Sequence, residues 1–289
     1  MTDAPSASEV PPILQTNRPS DQPLRYGQAI AFVAIWMIIG WVFHLDANSY
    51  LLIGVPLVVA FQIFVRKKSL VALWVRDAAT FRFGILGIIL GLAFSTMPTI
   101  NLVQSFGSWR SQVPETLWNF SCIVGAFAAG FSLCHFKKET WKSLLICLGT
   151  AGVIGCGIMA GTALLQKHSL ALTAAQLWTG ASSFLLYFPV CFVLEEVAFR
   201  GMIDSHVHQA EDKWPWLSAI VVSALWGLWH LPIFGETKIL NLIVLVVFLP
   251  LMHVFDGMFL SFGWRRSGNL AVPACVHALI DAVRNALLH

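Results

Sequence analysis

Nine apolar stretches, each close to the length that crosses a bilayer, limit this chain more than any other feature. They run at about 26–43, 50–65, 83–103, 117–136, 143–165, 174–199, 214–233, 239–262 and 270–288. A helix needs about 20 apolar residues to cross hydrocarbon, and in lipid every backbone polar group must be bonded within the protein. The expected fold is therefore all-α, a polytopic transmembrane helical bundle with eight or nine spans, the second run being short. Composition agrees: 57% of the residues are hydrophobic and 11% charged, against about 25% charged in a soluble domain. The net charge of +3 comes from cations in short clusters between apolar runs, a pattern of membrane topology and not of nucleic-acid binding.

Charge also orients the set. Of 18 Lys and Arg residues, 14 fall in the N-terminal tail or after the second, fourth, sixth and eighth runs; Arg110, Lys167, Lys238 and Arg284 fall on the other side. Positive residues collect on the cytoplasmic side, which predicts a cytoplasmic N-terminus. The first residues are rich in Pro, Ser, Thr and Asp without an apolar core or basic start, so 1–25 is expected to be a disordered cytoplasmic tail. Residues 26–170 form the N-terminal transmembrane helices, and 171–289 a C-terminal core that carries the polar motifs. The segment 69–75 is too short to cross and is expected at the membrane interface. No internal repeat suggests a transporter built of inverted halves.

Polar groups inside the apolar runs are the next constraint. Glu195, Glu196 and Arg200 lie in LEEVAFRG at the end of the sixth run, where ionised groups persist only if paired, neutralised or used. His230 follows Trp226 by one turn in the seventh run, and His277 and Asp281 are four apart in the last, so that pair shares a helix face. One polar group from each of several otherwise apolar helices is best explained by a shared polar cavity. Arg200, four residues after Glu196, is placed to pair with it and leave Glu195 free. A carboxylate in such a cavity suits a general base acting on water, and two imidazoles with a carboxylate are a common zinc set. The tentative metal ligands are Glu195, His230 and His277, with a divalent ion, zinc first, as the cofactor.

These residues resemble the CPBP family of intramembrane proteases, which includes the CAAX prenyl endopeptidases and the bacteriocin-immunity (Abi) proteins. The family pattern EExxxR, FxxxH and HxxxN/D reads here as Glu195-Glu196 to Arg200, Trp226 to His230, and His277 to Asp281. Trp stands where the family usually has Phe, and Asp281 is the acidic choice at the last position. The resemblance covers about 174–289. It implies an intramembrane endopeptidase, a metalloprotease if an ion is bound, acting near the cytoplasmic face: Glu195 as the base, His230 and His277 orienting water, binding the oxyanion or holding a metal, and Asp281 supporting His277. It also implies a membrane-lipid environment, a peptide or protein substrate, prenylated in eukaryotic members, and an integral location in a plasma membrane of bacterial type.

Two rivals stand beside this reading: a non-catalytic scaffold or immunity protein, and a proton-coupled transporter using the same groups as a relay. HExxH and GxGD motifs are absent, which leaves zincin and aspartyl chemistry unsupported. Ser182 and Ser183 read as small packing residues. Asp204, His206 and His208 read as a solvated loop, with a peripheral metal or pH-sensing site as the sharper alternative. His253 and Asp256, three apart, either pair or line the cavity. The six cysteines lie within or beside apolar runs and read as small buried hydrophobes.

Overall fold

The computed structural model describes residues 21–105, 113–166, 170, 173–209, 212–236 and 238–288. Among them are nine helices long and apolar enough to cross a membrane: α1 (Gln22–Val42), α2 (Ala47–Val65), α3 (Ile85–Ser105), α4 (Val113–Cys134), α5 (Lys138–Leu165), α6 (Ala174–Val207), α7 (Pro215–Phe234), α8 (Ile239–Ser267) and α9 (Ala271–Leu288). The described residues contain no strand, so the protein is an all-α polytopic bundle. Residues 1–20 of the expected tail, with Arg18, Arg110 and Lys167, lie outside the described residues. Residues 22–25, expected in that tail, are helical: Pro23 occupies the first turn, where a missing N–H costs nothing.

The core gathers around α6, α7 and α9. The most enclosed of the spans is α9, with 67% of its window buried, whereas the corresponding figure for α8 is 6%. In α8 the side chains of Ile239, Leu240, Ile243 and Val247 point outward, as a lipid-facing helix requires. Close helix contact depends on glycine, because dispersion does in lipid what hydrophobic burial does in water. A Cβ on Gly227 of α7 would lie 2.5 Å from the Leu249 carbonyl oxygen of α8, and Gly130 of α4 abuts the Gly87 carbonyl of α3.

The first spans also buttress the C-terminal ones. Trp36 Nε1 donates to the Tyr50 carbonyl (2.8 Å), and Tyr50 Oη donates to the Trp229 carbonyl (2.8 Å). The Trp36 and Trp229 rings meet edge to face at 5.0 Å. A carbonyl near the end of a helix has no partner within it, and here α2 supplies one just before His230. The segment 69–75 also packs on protein: Leu73 is buried, Trp74 Nε1 donates to the Phe192 carbonyl (3.1 Å), and the Leu270 N–H donates to the Trp74 carbonyl (2.8 Å).

One end of the bundle is tied together by arginines. Arg25 donates to the His206 carbonyl, Arg66 to those of Gly201 and Ser205, and Arg76 to those of Trp264 and Arg265. The start of α1 and the ends of α2, α6 and α8 therefore share that end, each guanidinium capping late carbonyls. Burial, with the neighbouring charge of Arg25, lowers Arg66 to about 10. Arg200 does not belong to this group, being fully buried inside the bundle.

Replacing Gly227 with Ala will force α7 and α8 apart at backbone, at a cost of about 1–3 kcal/mol. The thermal midpoint in detergent will fall, while Gly161→Ala, where an added Cβ meets nothing within 4 Å, will leave it unchanged.

Candidate active site

The site is built on an interruption in α6. Pro189 removes one intrahelical donor,, the helix breaks at Leu194, and after Glu195 and Glu196 it widens into a π-helix over Val197–Asp204 whose eight residues are all buried. Such π segments are frequent at functional sites. The sequence placed the glutamates at a helix end; α6 instead continues to Val207. The extension is invisible to hydropathy because Arg200 and Asp204, which look like loop residues, are buried as ion pairs.

Glu196 and Arg200 pair as expected, at 3.0 Å and without exposure. Arg200 also reaches the Gly257 carbonyl of α8 (3.4 Å), and its guanidinium carbon lies 4.2 Å from the Trp226 ring centre. Gly257 permits the approach, since a Cβ there would sit 2.9 Å from Arg200 Nη2. The Glu196 oxygen that meets Arg200 also meets His277 Nδ1 at 2.9 Å. A carboxylate only accepts, so Nδ1 carries a proton, and in the neutral ring Nε2 keeps its lone pair.

His230 has the same tautomer by a different route. Its Nδ1 lies 2.9 Å from the Trp226 carbonyl, which can only accept. The two Nε2 atoms face one acidic oxygen, Glu195 Oε2, each at 3.9 Å. Trp226 Nε1 donates to that oxygen at 3.0 Å, so Glu195 is anchored from α7. The indole N–H, an apparent departure from Phe, has a definite partner. The three chemical groups expected to converge do so, across gaps too long for direct hydrogen bonds and fit for a shared water.

Asp281 departs from its expected role. Its Oδ2 is 3.7 Å from His277 Nε2, with no hydrogen bond, while its Oδ1 takes Arg284 Nη1 at 2.8 Å. Arg284, expected within the last run, lies in α9. His253 lines the site: its ring centre is 4.5 Å from that of His230 and 4.6 Å from that of Trp226. Asp256 does not pair with it and accepts from the Gly257 N–H.

The ion expected from the sequence fits poorly. Ligand atoms around a tetrahedral zinc lie about 3.4 Å apart with bonds near 2.1 Å. Glu195 Oε2 stands 3.9 Å from each Nε2, so a zinc shared by the three would need these side chains to close up; among the described residues Cys191, His277 and Asp281 have ligand atoms that all fall within 4.8 Å. The Trp226 N–H also occupies the Glu195 oxygen nearest the imidazoles.

The peripheral candidates do not converge. His206 is buried against Phe61 and bonds Gln28, Asp204 is held by Arg265 at 2.6 Å, and His208 contacts Asp212 at 3.2 Å. Burial, with Arg265 next in effect, lowers the His208 pKa. The solvated loop expected there is packed protein. Ser182 bonds its own helix, and Ser183 accepts from Asn285 of α9, as packing residues do.

The family model described as type II CAAX prenyl endopeptidase Rce1-like matches residues 176–283. The match takes in all six motif residues, stops one short of Arg284 and leaves out the first five spans. Comparison with curated proteins and with solved structures finds no match. Motif order, helix placement and family match coincide on one segment, and over residues 176–283 the chain is similar to the type II CAAX prenyl endopeptidases.

Proposed function

We propose that the protein hydrolyses a peptide bond inside the membrane with a water activated by Glu195, and that Glu195, Glu196, Arg200, His230, His277 and Asp281 all serve that site. The observation that carries this reading is the meeting of Glu195 Oε2 with the Nε2 atoms of two imidazoles, each at 3.9 Å. Glu195 accepts one hydrogen of the water and an imidazole Nε2 the other, which turns an oxygen lone pair toward the substrate carbonyl. As the oxygen attacks, its proton passes to Glu195 and from there to the leaving nitrogen when the C–N bond breaks. Glu196 and Arg200 fix the His277 ring, and Asp281 with Arg284 closes the far side of the pocket.

This step runs without an ion. A zinc at Glu195, His230 and His277 is the metal-assisted version; it requires those side chains to close up, and metal content with activity after chelation decides between the two. The substrate class named by the family, a prenylated CAAX protein, is the first to try, with unmodified membrane peptides beside it. The arginine-tied end is the cytoplasmic end by the positive-inside rule, which makes the N-terminus cytoplasmic. Glu195 precedes the end of α6 by twelve residues, eight of them in the wider π turns.

Glu195→Gln and His230→Ala will each lower hydrolysis by about 10²–10⁴-fold while the protein still inserts and purifies as wild type. The readout is mass spectrometry of peptides released from membranes; full activity in either variant removes the mechanism, and pH-driven flux in liposomes without new peptides establishes the transporter in its place. Trp226→Phe keeps the aromatic wall but removes the donor to Glu195. A hydrogen bond to a charged group contributes about 1.5–3 kcal/mol, so kcat will fall about tenfold or more with KM little changed; an unchanged kcat means that Glu195 holds its position without the indole.

A further inference from the structure

We infer that Cys191, His277 and Asp281 form a binding site for a thiophilic divalent ion of the zinc class, and that an ion held there stops hydrolysis. The binding stands on the geometry alone; the inhibition rests on the hydrolytic reading above.

Cys191 of α6 lies one turn before Glu195 and is 1% exposed; His277 and Asp281 of α9 are 6% and 8% exposed. One ligand atom from each falls within 4.8 Å of the other two. Atoms bound to one zinc lie about 3.3–3.7 Å apart, a distance that small side-chain rotations reach. The donor atoms are already selected. His277 Nδ1 is taken by Glu196, which leaves Nε2, and Asp281 Oδ1 is taken by Arg284, which leaves Oδ2. A metal-binding histidine commonly donates its second N–H to a carboxylate that fixes its tautomer. Glu196 does this here, clamped in turn by Arg200.

The donor set also selects the ion. A thiolate and an imidazole beside a single carboxylate favour zinc-like ions over magnesium or calcium, and three protein ligands leave a fourth position for water. The thiol proton leaves as the sulfur–metal bond forms and passes to solvent. Beside the three buried ligands, the side chains of His230 and Glu195 are 21% and 15% exposed. The His277 Nε2 lone pair serves either the ion or the water beside Glu195. Occupancy and hydrolysis therefore exclude one another.

The test is cobalt(II) titration of the full-length protein, purified in detergent and stripped by chelator, followed by the thiolate-to-cobalt absorption band. Wild type will show the band at one ion per chain. Cys191→Ser and Cys191→Ala will lose it, with affinity reduced at least about tenfold, whereas Cys275→Ser will retain it. Gel filtration and helical circular dichroism confirm that the variants fold. No band in wild type, or a band that survives in both Cys191 variants, overturns the site. In the activity arm, zinc will inhibit wild type and spare Cys191→Ser. A Cys191-dependent band without inhibition keeps the site and overturns the switch, and a band in a protein that cleaves no peptide separates failure of the hydrolytic reading from failure of the site.

Discussion

A guanidinium held away from water inside an apolar bundle is the constraint from which the polar centre is assembled. Burying a charge costs several kcal/mol unless a partner and further hydrogen bonds compensate. Arg200 meets that demand with Glu196, the Gly257 carbonyl and the face of Trp226, which draws α6, α7 and α8 to one point. Glu196, neutralised in this way, holds His277 of α9. Four helices are thus placed by one chain of contacts, and Glu195 next to it is left to the indole N–H.

The arrangement gives two adjacent glutamates different work without any difference in side-chain chemistry. Glu196 is fully buried, with one oxygen shared by a cation and an imidazole. Glu195, about 100° further round the helix, faces the partly open cavity and two nitrogen lone pairs. The backbone irregularity at Leu194 and the π turns after it direct the pair outward and inward from the same stretch of chain.

Much of this was legible in the sequence. Nine spans follow from apolar continuity alone, and the pairing of Glu196 with Arg200 follows from a four-residue spacing. Helix ends were less visible, because hydropathy cannot see that Arg200 and Asp204 are neutralised by partners from inside or across the bundle. The motif residues His230 and His277 could be placed by pattern, but the direction of each lone pair depends on which acceptor takes the other ring nitrogen, and those acceptors are set by tertiary packing. Arg284 pairs with Asp281 at a three-residue spacing that the sequence does contain, although a count of charges by side treats it only as a marker of topology. Cys191 reads correctly as a buried residue, yet its nearness to α9 is a property of helix rotation that no spacing encodes.

The hydrogen bond from Tyr50 to the Trp229 carbonyl alters the account of the first five spans, which in the sequence offered hydrophobicity and little else. Trp229 immediately precedes His230, so the height and rotation of that imidazole are referred to a phenol contributed 180 positions earlier in the chain. The residues proposed to do chemistry all come from the C-terminal two fifths, but the frame that aims them does not. Grafted onto another set of helices, the family segment would carry every reactive atom and lose the alignment between them.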